Sequence, residues 1–219
     1  MARKAKEDVK LKILETAEAL FAQRGFDATG IDLIAKTAGI TKSLIYYYFK
    51  SKDEILSELF QNFVLKSIEM KKQITQIWAE TPGYDIEKII KDFTLPFMMS
   101  QKDIIRIAFT ESVKEAPITP HINIFKYFDQ NFQAGFDIAD EYGIQVDKDL
   151  SNLSGFFLFF APLFSFVIFS DEWCEYYQCD LKSVTGLFAA VFGKMYNALV
   201  GQRPANNRFP DALKQRDEK

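Results

Sequence analysis

Apolar residues recur three and four positions apart along almost the whole chain, and two early glycines, Gly25 and Gly39, cut that pattern into short pieces. This spacing builds amphipathic helices, because strand side chains alternate with a period of two. An all-α protein is therefore expected. The 219 residues include only 10 glycines and 7 prolines, and 48% of them are hydrophobic, enough for a substantial buried core.

The glycines and capping residues set the predicted elements. Val9, Ile13, Ala17, Leu20 and Phe21 share one face, so a first helix is predicted over 7–24, closed by Gly25. Thr29 is expected to cap a second helix whose inner face is Ile31, Ile34, Ala35 and Ala38, with Gly39 ending it. Thr41 then caps a third, with Ile45 and Phe49 turned inward. Ser51 and Glu54 stand at capping-box spacing and open a long fourth helix that carries Ile55, Leu56, Leu59, Phe60 and Phe63 and stops at Thr81-Pro82-Gly83. Five further helices are predicted over 86–99, 103–115, 120–142, 150–169 and 181–201.

Charge is divided unevenly. Residues 1–52 hold ten basic against six acidic side chains, whereas 53–219 hold 17 against 24. A basic head on an acidic body suits a head that meets a polyanion. Arg3, Lys4 and Lys6 are either a basic arm or a solvated terminus. Cys174 and Cys179 are separated by four intervening residues without a histidine nearby, so neither a zinc site nor a disulfide framework is indicated. His121 is the sole histidine, and no phosphate-cradling glycine loop or metal-ligand cluster occurs. These absences argue against an enzyme and call for no cofactor. No secretory h-region follows the basic start, and the longest apolar run, 156–169, is shorter than the roughly 20 residues of a bilayer span and contains Pro162. A cytoplasmic protein with no membrane partner is expected.

Two short helices joined through Gly39 and Ile40 have the pattern of a helix-turn-helix, whose second helix enters the major groove. With Ile45 and Phe49 inward, the outer face carries Thr41, Lys42, Ser43, Leu44, Tyr46, Tyr47 and Tyr48. Hydroxyls and a lysine bond phosphates or base edges, and an aliphatic tip rests on a thymine methyl. Three tyrosines on a purely solvated face would be unusual.

The segment KILETAEALFAQRGFDATGIDLIAKTAGITKSLIYYYFKSKDEIL resembles the N-terminal domain of the TetR family of bacterial transcriptional regulators over roughly residues 9–60. The match lies in Ile-Leu-x-x-Ala and Leu-Phe of the first helix, Gly-Phe-x-x-Thr, Ile-Ala-x-x-Ala-Gly-Ile, and Tyr-x-x-Phe-x-Ser-Lys-x-x-x-Leu. The resemblance implies that Thr29, Thr41, Lys42, Ser43, Leu44, Tyr46, Tyr47, Tyr48 and Lys52 meet double-stranded DNA. By chemistry, Lys42, Ser43, Leu44 and Tyr47 suit base edges, and the others suit the backbone. Ser43, Leu44 and Tyr48 depart from the family's usual glycine, small residue and histidine, so the operator of a relative does not transfer.

The resemblance also implies a body that binds a small molecule and dimerises. The expected organisation is a three-helix DNA-binding domain over 1–52, a larger helical effector-binding and dimerisation domain over 53–202, and a polar tail over 203–219. Most of the 22 phenylalanines lie in the body, where filling a core is their ordinary task. Candidate effector residues are Phe93, Phe97, Met98, Phe109, Phe125, Phe128, Phe132, Phe157, Phe160 and Phe164, with Glu111 to orient a cation. An apolar or aromatic effector follows, and Pro96 is expected to kink its helix and open space. The last two long helices are the expected homodimer seam, which would set two heads on successive faces of a palindromic operator. The reading is a ligand-responsive regulator, with repression as its expected sense. The alternative is a helical ligand-binding or interaction protein without specific DNA binding.

Overall fold

The computed structural model describes residues 2–80, 86–114, 124–141, 143 and 145–200. The break expected at Thr81-Pro82-Gly83, the residues Pro120, His121 and Tyr142, the side chains of Arg3 and Lys4, and the tail over 203–219 lie outside this description. The described residues form helices α1 (Ala2–Arg24), α2 (Ile31–Ala38), α3 (Lys42–Tyr48), α4 (Lys52–Glu80), α5 (Ile86–Ile89), α6 (Leu95–Ser100), α7 (Lys102–Ser112), α8 (Ile124–Glu141), α9 (Lys148–Ser154), α10 (Ala161–Tyr177) and α11 (Leu181–Val200). Two π-helical segments, Ile90–Thr94 and Gly155–Phe160, complete them, and no strand occurs among the described residues. The fold is all-α.

The chain divides into two compact units, Met1–Val64 with Asp103–Tyr127, and Leu65–Lys102 with Phe128–Lys219. The core of the first gathers Ile13, Ala17 and Phe21 of α1, Ile34 of α2, Ile45 of α3 and Phe49 after it, Ile55, Leu56 and Phe60 of α4, and Ile104 and Ile107 of α7. Residues 53–64 and α7 thus complete the core beneath the three N-terminal helices. Gly39 ends α2 in a left-handed conformation (φ 64°), where its N–H donates to the Lys36 carbonyl and that of Ile40 to the Ala35 carbonyl. A glycine holds that φ without a Cβ penalty, and the paired bonds satisfy the last helical carbonyls. Thr41 caps α3 by accepting from the Leu44 N–H at 3.3 Å. The predicted capping residues of α4 also meet: the Glu54 N–H donates to Ser51 Oγ at 3.1 Å, and the Glu54 carboxylate accepts from the Lys50 N–H at 2.5 Å.

Thr29 corrects the prediction. Gly30 caps α2, with no side-chain cap. The Thr29 side chain is 0% exposed, and its hydroxyl donates to the Gly25 carbonyl at 2.8 Å.

In the second unit, Ile90, Leu95, Leu163, Ala189 and Phe192 form a core cluster with Phe159, Phe166 and Phe188 packed on it. Phe166 and Phe188 stack at 4.1 Å. Pro96, expected to kink its helix, and Pro162 each follow a π segment after one intervening residue. A proline lacks an N–H and its ring collides with the carbonyl four residues back, and a π turn relieves both by widening the ladder there. Lys148–Tyr177 consequently forms one helical run of 30 residues, longer than predicted, and by length and composition it is long and apolar enough to cross a membrane. The shortness of the apolar run therefore does not exclude a membrane span. The run does carry Leu163 and Val167 in fully buried positions, and Asp171, Glu172 and Glu175 in its last two turns.

Candidate nucleic-acid interface and an interior cavity

The first unit presents α3 with one face sealed and the other open. Ile45 and Phe49 are buried, while Thr41, Lys42, Ser43, Tyr46 and Tyr47 are exposed, Tyr47 by 64%, and Leu44 and Tyr48 are half-buried. Seven of the nine predicted contact residues therefore lie together on or beside one short helix. Tyr47 and Tyr48 meet edge to face at 5.0 Å, which fixes both rings.

The exposed side chains are already engaged. Lys42 Nζ pairs with Asp32 Oδ2 of α2 at 2.9 Å, and this hydrogen bond raises the ammonium's pKa. Lys6 Nζ donates to Tyr47 Oη at 2.9 Å and lies 5.4 Å from the ring centroid, and the same bond lowers the phenol's pKa. Lys6 is thus part of a helix reaching back to Ala2, docked against the α3 face. Lys52, expected at a phosphate, instead donates to the Phe26 carbonyl at 2.6 Å and sits 4.1 Å over the Phe26 ring. Thr29 and Lys52 consequently act as internal struts that hold the 25–30 turn, for which the local sequence carried no signal.

The second unit holds a partly open cavity of about 310 Å³. Its wall comes from α4 (Ser67, Met70, Lys71, Ile74, Thr75), α8 (Asn131, Phe132, Gly135, Ile138), the second π segment (Gly155, Phe159, Phe160) and residues of α5, α6, α9 and α11. Gly155 is required by close approach, since a Cβ there would lie 2.4 Å from Phe132 Cε1.

Of the predicted effector residues, Met98, Phe132 and Phe160 line this cavity. Phe128 and Phe164 stand one ring behind, with Phe128 5.2 Å from Phe160 and 6.2 Å from Phe132, and Phe164 5.9 Å from Phe160. The remainder do not line the cavity. Phe93 and Phe97 border an open groove with Leu65 and Met70. Phe157 is 61% exposed. Phe109 and Phe125 are exposed residues of the first unit. Glu111 belongs to that unit too, where Lys114 pairs with both it and Asp27 at 2.6 Å. Burial opposes the Lys114 charge, but these two carboxylates outweigh it and raise its pKa, so Glu111 already has a cation as partner.

Sequence reasoning missed Lys71, whose Nζ donates to the Asn131 carbonyl at 2.6 Å. In Met70-Lys71-Lys72 it reads as part of a solvated helix face.

Residues 13–59 match the profile of the bacterial regulatory proteins, tetR family. The chain is 32% identical over 104 residues to an uncharacterised HTH-type transcriptional regulator, YerO, of Bacillus subtilis, covering 48% of this chain and 36% of that protein. It is 26% identical over 131 residues to IcaR of Staphylococcus epidermidis, the negative transcriptional regulator of a biofilm operon, covering 55% and 70%. The chain spans about a third of the length of the first curated relatives it matches. A solved TetR-family structure from Syntrophomonas wolfei superposes with a TM-score of 0.62 at 18% identity, covering 91% of this chain and 98% of the other, which establishes the shared fold.

Proposed function

Because the chain belongs to the TetR family of bacterial regulatory proteins, we propose that it is a homodimeric transcriptional repressor whose α3 reads a palindromic operator and whose interior cavity takes an apolar effector. The observation that carries this reading is the division of α3 into a buried face and an exposed polar and aromatic one. Lys42, Ser43, Leu44 and Tyr47 are the base-edge candidates, and Thr41, Tyr46 and Tyr48 suit the phosphate backbone.

Dimerisation through α10 and α11 is supported by their uncovered apolar side chains. Leu187 (66% exposed), Val191 and Met195 form a stripe at four-residue spacing on α11, and Phe169, Trp173 and Tyr177 do so on α10. Covering them with a second copy suits the apolar Lys148–Tyr177 run better than lipid does, since that run ends in acidic residues. The regulator then works in the cytoplasm.

Effector control requires that the ligand bind two conformations unequally. α4 is the coupling element in this reading: its Ile55, Leu56 and Phe60 belong to the head core, and Ser67, Met70 and Ile74 of the same helix line the cavity.

Selection from random duplexes tests the proposal. It should enrich a palindrome with half-sites about 34–36 Å apart, bound with an affinity that falls steeply as salt rises. Failure to enrich any palindrome would favour a ligand-binding protein without specific DNA contacts, a reading to which the Lys42–Asp32 pair lends some weight.

A further inference from the structure

Among the described residues, the cavity wall holds one charged side chain, Lys71, and no carboxylate. Lys71 spends one of its three donors on the Asn131 carbonyl and lies 5.9 Å from the Phe132 ring centroid. Among the described residues it has no ion pair. Beside it, the Asn131 side chain is buried and its Oδ1 has no hydrogen-bond partner. A buried amide normally finds a partner, and a cation largely withdrawn from water, as the half-buried Lys71 is, normally finds an anion. Here both deficits fall in one place, on the wall of an otherwise apolar space. Burial pushes the Lys71 ammonium down to about 8, so it stays mostly charged at neutral pH while lacking a counter-ion.

We propose that the effector is an amphiphilic carboxylate, whose head pairs with the Lys71 ammonium and the Asn131 amide and whose apolar body lies along Ile74, Met98, Phe132 and Phe160. A half-turn of the Asn131 amide offers the carboxylate its NH₂ donors. This inference rests on the cavity being the effector site. It reverses the charge expected from Glu111: the ligand is an anion, and the protein supplies the cation. The volume stands at the lower end of the roughly 300–1,000 Å³ of small-molecule sites, which suits a short acyl or arylalkyl body.

The test measures binding of octanoate, decanoate and 4-phenylbutyrate, each against its primary alcohol, to the full chain by calorimetry and thermal shift. At least one acid should bind at least tenfold tighter than its alcohol, and Lys71→Met should abolish that preference while keeping affinity for the alcohol. Asn131→Asp, which gives Lys71 an internal counter-ion, should also weaken the acid at least tenfold. Equal affinity of every acid and its alcohol, or a preference that survives Lys71→Met, overturns the assignment of charge and leaves the cavity as an effector site. Failure of all six compounds to bind overturns the effector-site reading along with it.

Discussion

The two units use helices of similar character to opposite ends. The first packs Ile13, Ile34, Ile45 and Phe49 out of solvent and displays the proposed DNA-contact residues outward on one short helix. The second leaves Leu187, Trp173 and Tyr176 uncovered and holds the proposed effector cavity, walled by residues far apart in the chain. A site on one helix face requires only that the opposite face be buried. An interior site requires several helices to assemble in register.

The largest effect should separate the two faces of α3. Ile45→Ala should cost about 2–5 kcal/mol by leaving a cavity in the head core, read by denaturant unfolding. Tyr47→Ala should leave stability nearly unchanged and weaken operator binding at least tenfold; equal destabilisation by the two substitutions would make α3 a core helix throughout.

In the second unit, Lys71→Met should stabilise the protein by about 1–3 kcal/mol at pH 7, the gain from removing a partly desolvated cation being offset in part by the lost bond to Asn131. The sign with pH is specific. The folded-state pKa of about 8 lies below the ordinary value of 10.5, so between these values the unfolded chain binds more protons and wild-type stability rises with pH. The advantage of the methionine variant should therefore be full below pH 8 and disappear by about pH 10.5, as followed by thermal melts across that range.

Thr41→Ala should cost about 1 kcal/mol through loss of the α3 cap. The smallest effect is expected from Asp32→Asn, which frees the Lys42 ammonium and removes an exposed anion. Operator affinity should rise by about threefold at low salt, with no gain at high salt, as measured by fluorescence anisotropy.

The α3 face was legible because Thr41, Ile45 and Phe49 identify a cap and an inward stripe by spacing alone, leaving the outer residues by subtraction. The internal bonds of Thr29 and Lys52 were not legible because their partners, the carbonyls of Gly25 and Phe26, are backbone groups that any sequence supplies. Phe93 and Phe157 lie within π segments and Phe97 follows one, and a π turn inserts a residue into the helical phase, so periodicity directs such side chains wrongly. Lys71 could not be singled out, because a lysine on an amphipathic helix is ordinarily solvated. Only the approach of Asn131 and Gly135 from α8 makes it a half-buried cation.

By itself, the sequence determined the helical class, the glycine-ended helix-turn-helix and the character of its outer face, because these depend on spacing and capping within a few turns. The tertiary structure alone decided which phenylalanines line the cavity, that α4 serves both the head core and the cavity wall, and that Lys71 is a cation without a counter-ion. Those properties depend on which distant groups come within a few ångströms of one another, and residue periodicity carries no record of that.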